Sequence, residues 1–384
     1  MPTEKAHGIQ VAKTCEALAE TDAEVCLAFP RRYQVNPELK GKDLWEAYGL
    51  KRNFKAVGLP CIDLLWLEHW LQRPLFFAFP LLNLSFSLFV LPYALWSNVD
   101  VVYSRNFLSL IWLLPVSMIS GVRLYYEVHD VPSNRLIHSV KCRLLKLTAD
   151  VVVITDGLAN LFEKAGFERE RLLVAPDAVD LDEFHIEIPP DELRRELGLP
   201  MNKRIVCYTG NLYPWKGVHT LALCSRYLPN DVHVLIVGGS IGDHNISPFR
   251  EFLEQEDLGN VTMTGHRPHA TIPKYLAASD VLVLPNSSEA TISREYTSPL
   301  KLFEYMASNT PLVASDLPSL REVLNEGNAE LVEPDSPAAL AKGIMKVLDE
   351  EGLGDRHAKQ AFQDVHEFSW ARRVKKILTF IGQA

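Results

Sequence analysis

The sequence predicts an α/β protein built from two doubly wound domains. Its 384 residues are enough for two hydrophobic cores of ordinary domain size. Short runs rich in β-branched and aromatic residues alternate with helical patterns through both halves, which is typical of parallel sheets covered by helices on both faces. A stretch rich in proline and glutamate, IEIPPDELRRELGLP at 186–200, separates the two halves. The pattern therefore predicts two sheets rather than one.

The first half contains four predicted strands. They are AEVCLAF (23–29), DVVYSR (100–105), RLYYEVHD (123–130) and ADVVVIT (149–155). Helical segments lie between them, beginning with EKAHGIQVAKTCEALAE at 4–20. A domain of this kind ordinarily opens with a strand that leads into its first helix, whereas here a helix comes almost at once. We therefore expect either that a first strand is missing or that the sheet opens at 23–29.

The second half contains six predicted strands. They are KRIVCYTG (203–210), DVHVLIVGG (231–239), VTMTG (261–265), SDVLVLP (279–285), PLVAS (311–315) and AELVE (329–333). Helices are predicted at 299–308 and 336–349, and a closing helix at roughly 355–381. We place one domain at 1–188 and the other at 189–364, and we expect a C-terminal helix, 365–384, to pack back on the first domain.

Charge and cysteine usage exclude several classes of protein. The net charge of −9 argues against a nucleic-acid partner, because such proteins usually carry a concentrated basic face. The six cysteines are scattered, with no CxxC pair and no Cys/His spacing of a metal site. The polar amino terminus, MPTEKAHGIQ, does not resemble a signal peptide. We predict a cytoplasmic protein that binds no metal and no nucleic acid.

Two uncharged stretches raise the question of a membrane. Residues 74–99 and 106–122 contain no charged side chain, and the first is long enough to span a bilayer, which takes about 20 residues. Prolines and polar residues inside both stretches favour helices packed within a soluble domain. A face that dips into a membrane surface and a true span are the alternatives. A peripheral membrane contact through 74–122 therefore stays open.

Polar and cationic side chains follow several of the predicted strands. Ligands of open α/β sheets bind beyond the carboxyl ends of the strands, so these positions are the candidate site. They are His129 and Asp130 after the strand at 123–130, Lys216 after 203–210, His266 and Arg267 after 261–265, and the loop 286–299 after 279–285. Two domains that face each other across these edges would form a cleft.

Lys301 occupies an unusual position. The Thr-Ser-Pro sequence at 297–299 predicts a helix start with a hydroxyl cap, and the positive end of the helix dipole disfavours a cation there by a few tenths of a kcal/mol. A diphosphate bound at the free N–H groups would reverse this effect, and Lys216 would add a second charge. The alternative is a salt bridge to Glu304, worth about 0.2–0.5 kcal/mol. Spacing alone does not separate the two interpretations.

Six segments, in order, carry a family resemblance. They are HGIQVAKTCEALAE (7–20), YEVHD (126–130), APDAVDLDEF (175–184), TGNLYPWKG (209–217), GHRPHATIPKYLAASDVLVLP (265–285) and SPLKLFEYMASNTPLVASDLPSLREVL (298–324). The chain resembles the retaining glycosyltransferases of family 4 (glycosyltransferase group 1), and the block at 298–324 is its most specific part. The resemblance implies the GT-B fold, in which two Rossmann-like domains face each other across a cleft and the second holds a nucleotide sugar.

The resemblance also implies roles for individual residues. His129 would lie beside the donor sugar and orient it, Lys216 would contact the diphosphate, and Glu304 would hold the ribose hydroxyls; these three are the predicted catalytic residues. The predicted acceptor-side residues are His7, Gly8, His129 and Asp130. The predicted donor-binding residues are Gly210, Asn211, Lys216, His266, Arg294, Glu295, Ser298, Pro299, Leu300, Lys301 and Glu304.

The sequence departs from the family pattern at three positions. Asn211 stands where the family commonly has an arginine that contacts the diphosphate. The first glutamate of the family's pair should fall at Tyr296, and the nearest acid, Glu295, is one position away. Pro299 replaces a glycine and so removes one backbone donor. These departures affect diphosphate binding and recognition of the sugar hydroxyls.

We hypothesise that Lys301, together with Arg294, restores the positive charge lost at Asn211. The implied reaction then moves a sugar from a nucleotide diphosphate to an acceptor hydroxyl with retention of configuration. It uses no metal and no cofactor, and the ammonium groups stabilise the leaving diphosphate.

The implied acceptor is a glycan or glycolipid, in polysaccharide or glycolipid assembly. Two alternatives stay open: a glycosyltransferase-like binding subunit that has lost catalysis, and another two-domain enzyme such as a sugar-nucleotide epimerase or a dehydrogenase. The dehydrogenase lacks support because no GxGxxG follows a strand with an acid about 20 residues on.

Overall fold

A computed structural model describes residues 2–3, 5–34, 36–71, 73, 75–129, 135–239 and 245–383. The chain divides into two units: Met1–Ala175 with Val374–Ala384, and Pro176–Arg373. The expected boundary at 188/189 therefore falls inside the second unit. The physical reason is that residues just after Pro176 are part of that unit's core: Val179 and Phe184 are both 2% exposed and pack among its buried side chains.

Among its described residues, the first unit contains six strands and seven helices of its own. The strands are β1 (Cys26–Pro30), β2 (Lys55–Leu59), β3 (Val101–Ser104), β4 (Arg123–Val128), β5 (Asp150–Val153) and β6 (Leu172–Val174). The helices are α1 (Ala6–Leu18), α2 (Leu44–Tyr48), α3 (Leu65–Leu71), α4 (Ala78–Ser97), α5 (Phe107–Ser120), α6 (Arg135–Thr148) and α7 (Asp156–Lys164).

The strands of the first unit form two parallel sheets. β1 pairs with β2, and β3, β4, β5 and β6 lie side by side in chain order. The four predicted strands are present. The sequence did not indicate β2 and β6, because five and three residues are too few to show a strand period. The first strand begins at Cys26 and follows α1.

The last residues of the chain pack on the four-stranded sheet. Ile377 and Phe380, on the C-terminal helix, are buried against Tyr125 of β4. The Phe380 ring meets the Tyr125 ring edge-on, with 5.9 Å between ring centroids. The guanidinium of Arg123 donates a hydrogen bond to the carbonyl oxygen of Ile381. The end of the chain thereby completes the core of the first unit.

The second unit contains one six-stranded parallel sheet. Its strands are β7 (Arg204–Thr209), β8 (Val232–Val237), β9 (Val261–Gly265), β10 (Val281–Leu284), β11 (Leu312–Ser315) and β12 (Glu330–Val332). All six were predicted. Its helices are α8 (Leu181–Phe184), α9 (Pro190–Leu197), α10 (Val218–Cys224), α11 (Ile246–Gln255), α12 (Ile272–Ala277), α13 (Leu300–Ala307), α14 (Pro318–Arg321), α15 (Pro337–Asp349) and α16 (Leu353–Asp364).

The predicted closing helix is wrong as a single element. The chain forms α16, a short 3-10 turn at Val365–Phe368, and then α17 (Trp370–Gln383). Ser369 breaks the helix because its backbone is extended, with φ −77° and ψ 152°, and it forms a parallel bridge with Val179. The bridge holds the break in place.

The order of the strands locates a ligand position. Across the sheet the strands run β12-β11-β10-β7-β8-β9, so the chain order reverses between β7 and β10. Both faces are covered, since separate clusters of buried side chains lie on the two sides of the sheet. In doubly wound sheets, ligands bind beyond the carboxyl ends of the strands at this switch point. The loops that follow β7 and β10 are therefore the place to look for function.

Candidate functional site

The loops after β7 and β10 are in direct contact. The backbone N–H of Ser287 donates to the carbonyl of Trp215 at 3.0 Å. Gly217 has φ +71°, and a Cβ placed there would lie 1.7 Å from the carbonyl oxygen of Pro285. Only glycine allows this approach, because any side chain would collide with a backbone atom. The switch point is therefore closed by two loops that hold each other in place.

Gly210 leaves room for a charged side chain. It ends β7 with φ +126°, and a Cβ on it would lie 2.8 Å from the Nζ of Lys301. Gly238, at the end of β8, has φ +153°, and a Cβ there would lie 1.9 Å from the Gly210 carbonyl oxygen. The two glycines let neighbouring strand ends and the Lys301 ammonium come together at one point.

The start of α13 differs from its predicted form. The helix begins at Leu300, with Pro299 at the N-cap and no side-chain cap among the described residues. The predicted hydroxyl cap is wrong, because the Ser298 hydroxyl is used elsewhere: it accepts from the backbone N–H of Asp177 at 3.1 Å. The Leu302 N–H donates to the Pro299 carbonyl at 2.9 Å, so among the described residues the N–H groups of Leu300 and Lys301 are the ones left for another acceptor.

Lys301 lies in the first turn of α13 and is buried, at 8% exposure. Within the described part of the chain, its Nζ has no hydrogen-bond partner and lies 3.7 Å from the centroid of the Tyr208 ring. Burial, and secondly the charge of Lys216, hold the pKa of Lys301 well below its usual range. Lys301 does not form the alternative salt bridge to Glu304, because the Glu304 carboxylate pairs with His269 instead. A buried amine of this kind is costly unless an anion joins it.

Lys216 reaches the same region from the loop after β7. Its Nζ lies 3.8 Å from the centroid of the Trp215 ring, and burial lowers its pKa to about 7. Its charge is near enough to lower the pKa of Lys301. Asn286, whose backbone lies against Gly217, is fully buried, and neither polar atom of its side chain has a partner among the described residues. Two cations and a free amide therefore share the switch point.

Glu304 is held by His269, a residue that the sequence did not single out. The imidazole Nε2 lies 3.2 Å from the Glu304 carboxylate, and Nδ1 lies 3.4 Å from that of Glu183 on α8. Burial alone would lower the pKa of His269, but hydrogen bonds to Glu183 and Glu304 and their charges raise it to about 10. The only sequence signal is the position of His269 inside the segment HATIP.

Arg294 is not available as a second unpaired cation. Its Nε donates to the carboxylate of Glu295 at 2.9 Å, and another guanidinium nitrogen donates to the Ser288 carbonyl at 2.9 Å. This arrangement therefore does not support the hypothesis that Arg294 helps to restore the positive charge lost at Asn211. The backbone carbonyl of Asn211 accepts a hydrogen bond from the Tyr208 hydroxyl at 2.7 Å.

His266 follows the edge strand of the sheet rather than a strand at the switch point. It is half-buried and follows β9, which β8 separates from β7. Leu300, by contrast, is the first residue of α13. Gly210, Lys216 and the start of α13 therefore lie together at the switch point, whereas His266 lies at the end of the edge strand β9.

In the first unit, His129 sits on a buried carboxylate. Glu127, at 2% exposure, accepts from the Gln10 amide at 2.8 Å and from the Tyr103 hydroxyl, and its Oε1 contacts the His129 Nε2. Arg105 donates to the Gln10 side chain at 2.7 Å. The network fixes the imidazole ring of His129. The sequence indicated His129 but none of the residues that hold it.

His7 and Gly8 lie at the start of α1. Desolvation, and then the charge of Arg105, lower the pKa of His7 to about 4, and His129 is among the groups that contribute. A Cβ on Gly8 would lie 2.3 Å from the Tyr48 hydroxyl, so glycine is required there for packing. Asp130, the remaining predicted acceptor-side residue, lies outside the described residues.

Comparison with known proteins bears on the second unit above all. Residues 190–364 match the family model described as "Glycosyl transferases group 1", which is less than half of the chain. This segment is similar to group 1 glycosyltransferases. The group 1 segment contains the whole six-stranded sheet, the two lysines and Glu304.

Relatives of known name share about a quarter of their residues with this chain. D-inositol 3-phosphate glycosyltransferase of Corynebacterium glutamicum is 25% identical over 273 residues, which are 68% of this chain and 63% of that protein. The putative teichuronic acid biosynthesis glycosyltransferase TuaC of Bacillus subtilis is 28% identical over 230 residues, 59% of this chain and 54% of that protein. The chain spans about three fifths of the length of the curated relatives it matches.

Solved structures show the fold. Anabaena Alr3699/HepE in complex with UDP-glucose has a TM-score of 0.76 at 20% identity, over 100% of this chain and 98% of that one. WaaG, a glycosyltransferase involved in lipopolysaccharide biosynthesis, has a TM-score of 0.68 at 15% identity, over 100% and 97%. The predicted α/β fold of the GT-B type, with Rossmann-like domains, is confirmed.

Proposed function

We propose that this protein is a glycosyltransferase that moves a sugar from a nucleotide-diphosphate sugar to an acceptor hydroxyl, with retention of configuration. The observation that carries the proposal is the Lys301 ammonium, which is buried in the first turn of α13 with no partner among the described side chains. A diphosphate supplies the anion that both this amine and the helix N-terminus accept.

The reaction places negative charge on the departing diphosphate. Lys301 and Lys216, protonated when the diphosphate binds beside them, stabilise that charge together with the N–H groups at the start of α13, and all of these groups are held in position before the reaction. The proposal includes no metal, since the two ammonium groups supply the positive charge that the leaving group needs. In a retaining transfer, a phosphate oxygen takes the acceptor proton on the same face of the sugar.

Glu304 is proposed to accept hydrogen bonds from the ribose hydroxyls. His269 restricts its rotation and leaves the second carboxylate oxygen for the ligand. UDP is the first nucleotide to test, because HepE, which shares the fold, is known in complexes with UDP and UDP-glucose. His129, held by Glu127, is proposed to orient the sugar rather than act as a base.

The acceptor is proposed to be a glycan or glycolipid. Support comes from the relative assigned to teichuronic acid biosynthesis, whereas the relative named for D-inositol 3-phosphate makes a small phosphorylated polyol the competing acceptor class. Cytoplasmic nucleotide sugars would supply the donor, so a location at the cytoplasmic side of the cell is part of the proposal.

A second candidate is a binding subunit that retains the fold without catalysis. The pairing of Arg294 with Glu295 favours it, because neither side chain is then free to serve the donor. Such a subunit would bind nucleotide and neither transfer nor hydrolyse the sugar.

The experiment that separates the candidates is a thermal-shift screen of UDP-, GDP- and ADP-sugars, followed by hydrolysis and transfer assays with the sugar that binds. A shift with turnover supports the transferase. A shift without turnover supports the binding subunit, and the absence of any shift contradicts both. Lys342→Ala, an exposed lysine on α15, is the matched control for variants of Lys301.

A further inference from the structure

Helices α4 and α5 of the first unit have a partly reversed distribution of polarity, although apolar residues such as Leu82 and Leu110 are also buried. Polar side chains are buried between them: Ser87 is 0% exposed and Ser109 is 2% exposed. Large apolar side chains point outward: Phe79 and Trp96 of α4 are 62% and 91% exposed, and Ile119 of α5 is 89% exposed. A helix pair in water is expected to show the opposite arrangement.

Buried and half-buried polar groups of α4 bond to those at the start of α5, and one further bond caps α5 itself. The Asn106 amide donates to the Asn83 side-chain oxygen at 2.9 Å, and the Asn106 side-chain oxygen accepts from the Ser109 backbone N–H at 3.1 Å. The Ser87 hydroxyl lies 3.5 Å from both the Asn106 side chain and the Ser109 hydroxyl. Hydrogen bonds between Ser and Asn side chains of neighbouring helices are typical of helices that pack within lipid.

The same contacts show that the two helices run in the same direction. Positions 83 and 87 of α4 meet positions 106 and 109 at the start of α5. Their C-terminal ends therefore lie at the same side of the unit. That end carries the exposed Leu95 and Trp96 of α4 and the exposed Met118 and Ile119 of α5.

Helix α6 packs beside α5 and extends the apolar face. Leu136 and Leu147 are each 73% exposed. An open groove of about 440 Å³, lined by Phe107, Leu136, Ile137, Val140 and Lys141, lies between the two helices. The three helices α4, α5 and α6 thus form one layer with an apolar outer surface.

The charges of this layer are all of one sign. In a chain with net charge −9, α4 and α5 contain no charged residue, and α6 contains four basic residues and no acidic one. Arg143 is exposed on α6. Lys141 is buried, at 7% exposure, and Lys146 is half-buried, so among the described residues Arg143 is the basic side chain exposed beside the apolar surface. An apolar surface with a cation at its border complements a bilayer that contains anionic lipids.

We propose that the layer α4–α5–α6 docks on an anionic phospholipid bilayer, with the outer face of α4 and α5 entering the acyl region of one leaflet and the basic side of α6 at the headgroups. The inference goes beyond the proposed function and does not depend on it, because vesicle binding needs neither donor nor acceptor.

The layer rests in one leaflet and does not span the bilayer. Among the described residues, α4 is the one helix long and apolar enough to cross a membrane, with mean hydropathy 1.6, yet 39% of its apolar window is buried against the protein. The partner helix α5 has 14 residues, or about 21 Å, which is short of the roughly 30 Å of hydrocarbon. A pair of unequal helices that bond to each other and to their own unit fits the surface of a bilayer.

The test is flotation of the full chain with phosphatidylcholine vesicles that contain or lack phosphatidylglycerol. The double variant Trp96→Glu, Ile119→Glu places two charges on the outer face, and Tyr227→Glu, an aromatic residue 61% exposed in the second unit, is the matched control. We expect the wild type and the control to float with the anionic vesicles and the double variant to lose at least about tenfold in partition. Equal thermal-shift curves for all three proteins would show that each is folded.

Three results would overturn the proposal. The wild-type chain stays at the bottom of the gradient with both kinds of vesicle at low salt, or the double variant floats as the wild type does. The third result has two parts: the wild type is a dimer and the double variant a monomer, and neither protein binds vesicles. It would show that this face binds a second copy of the chain.

The basic border is tested separately. Arg143→Glu should weaken binding to vesicles that contain phosphatidylglycerol several-fold and leave binding to pure phosphatidylcholine unchanged, whereas Lys342→Glu should change neither. If both variants lose vesicle binding equally, or if Arg143→Glu loses none, the basic residues of α6 do not contribute to the docking surface.

Discussion

The imidazole of His269 bridges two carboxylates, with Nε2 3.2 Å from Glu304 and Nδ1 3.4 Å from Glu183. Glu183 belongs to α8 at the beginning of the second unit, and Glu304 to α13 at the proposed donor site. One side chain therefore joins the first helix of the unit to the residue that we propose binds the ribose. The bridge has a consequence for stability that depends on pH.

We expect the contribution of His269 to the unfolding free energy to decline as pH rises from about 6.5 to about 10, whereas the lowered pKa values of Lys216 and Lys301 act in the opposite direction, so the contribution is isolated by comparison with a His269 variant. Both carboxylates raise the pKa of His269 to about 10 in the folded state, while the unfolded chain has the ordinary value of 6.5. The stabilisation is complete below the lower value and is lost as pH passes the higher one, because only the folded state still holds the proton. One proton sets an upper limit of about 1.4 kcal/mol per pH unit.

Urea unfolding of the wild type, His269→Gln and His366→Gln across that range tests this expectation. The difference in unfolding free energy between the wild type and His269→Gln should shrink as pH rises across this range. His366, which bonds only to the Phe362 carbonyl of its own segment at 2.7 Å among the described groups, should leave the pH dependence unchanged when replaced. Parallel curves for the wild type and His269→Gln would show that the bridge contributes no pH dependence.

Lys301→Met should weaken UDP binding without lowering the melting temperature. Methionine fills the same space and removes a buried amine that costs free energy in the unliganded protein. The lost charged hydrogen bonds should reduce affinity by roughly 10- to 100-fold, or about 1.5–3 kcal/mol. Calorimetric titration and thermal melts of the variant and of Lys342→Met measure the two effects. A fall in both affinity and melting temperature, or no loss of affinity, would remove Lys301 from the donor site.

Gly210→Ala should act through Lys301. The new Cβ would lie 2.8 Å from Nζ and the residue would keep φ at +126°, so the ammonium must move and the backbone is strained by about 1–2 kcal/mol. UDP affinity should fall in the wild-type background and fall less in Lys301→Met, where the charge is already gone. Gly259→Ala is the control, because its Cβ meets no described atom within 4 Å. Equal losses in both backgrounds would mean that Gly210 acts independently of Lys301.

His129→Ala should abolish sugar transfer and leave UDP affinity intact, because His129 belongs to the first unit and the nucleotide residues to the second. Glu127→Gln and Tyr103→Phe loosen the ring without removing it, and should lower kcat with little change in KM, by up to about 100-fold if the imidazole shifts by 1 Å. Steady-state transfer kinetics and UDP titration measure these effects. Full transfer activity in His129→Ala would exclude the residue from the site.

The sequence predicted the second unit far better than the first. Four of its six strands, β7, β8, β10 and β11, are almost wholly buried, and helical segments separate the strands clearly, so the pattern is easy to recognise. The convergence of Lys216 and Lys301 also followed from the sequence, because both come from loops after strands of one parallel sheet. The short strands β2 and β6 could not be found, since too few residues show a period.

Residues that act through distant partners were missed. His269 meets a carboxylate 35 positions away, and the hydroxyl of Ser298 is taken by a backbone N–H 121 positions away. No local pattern reveals such pairs, and the helix cap at 297–299 was predicted wrongly for that reason. Likewise, the reversed polarity of α4 and α5 depends on which side chains face each other, which composition alone does not reveal.

The desolvated state of Lys301 and Lys216 implies that nucleotide binding and proton uptake are linked. Burial lowers the pKa of Lys216 to about 7 and that of Lys301 well below its usual range, whereas a diphosphate beside them would raise both. Binding heats measured in buffers of different ionisation enthalpy should therefore reveal protons drawn from solution, and affinity should decline on the alkaline side of neutrality. The pH of the cell would then determine the fraction of this protein that has nucleotide sugar bound.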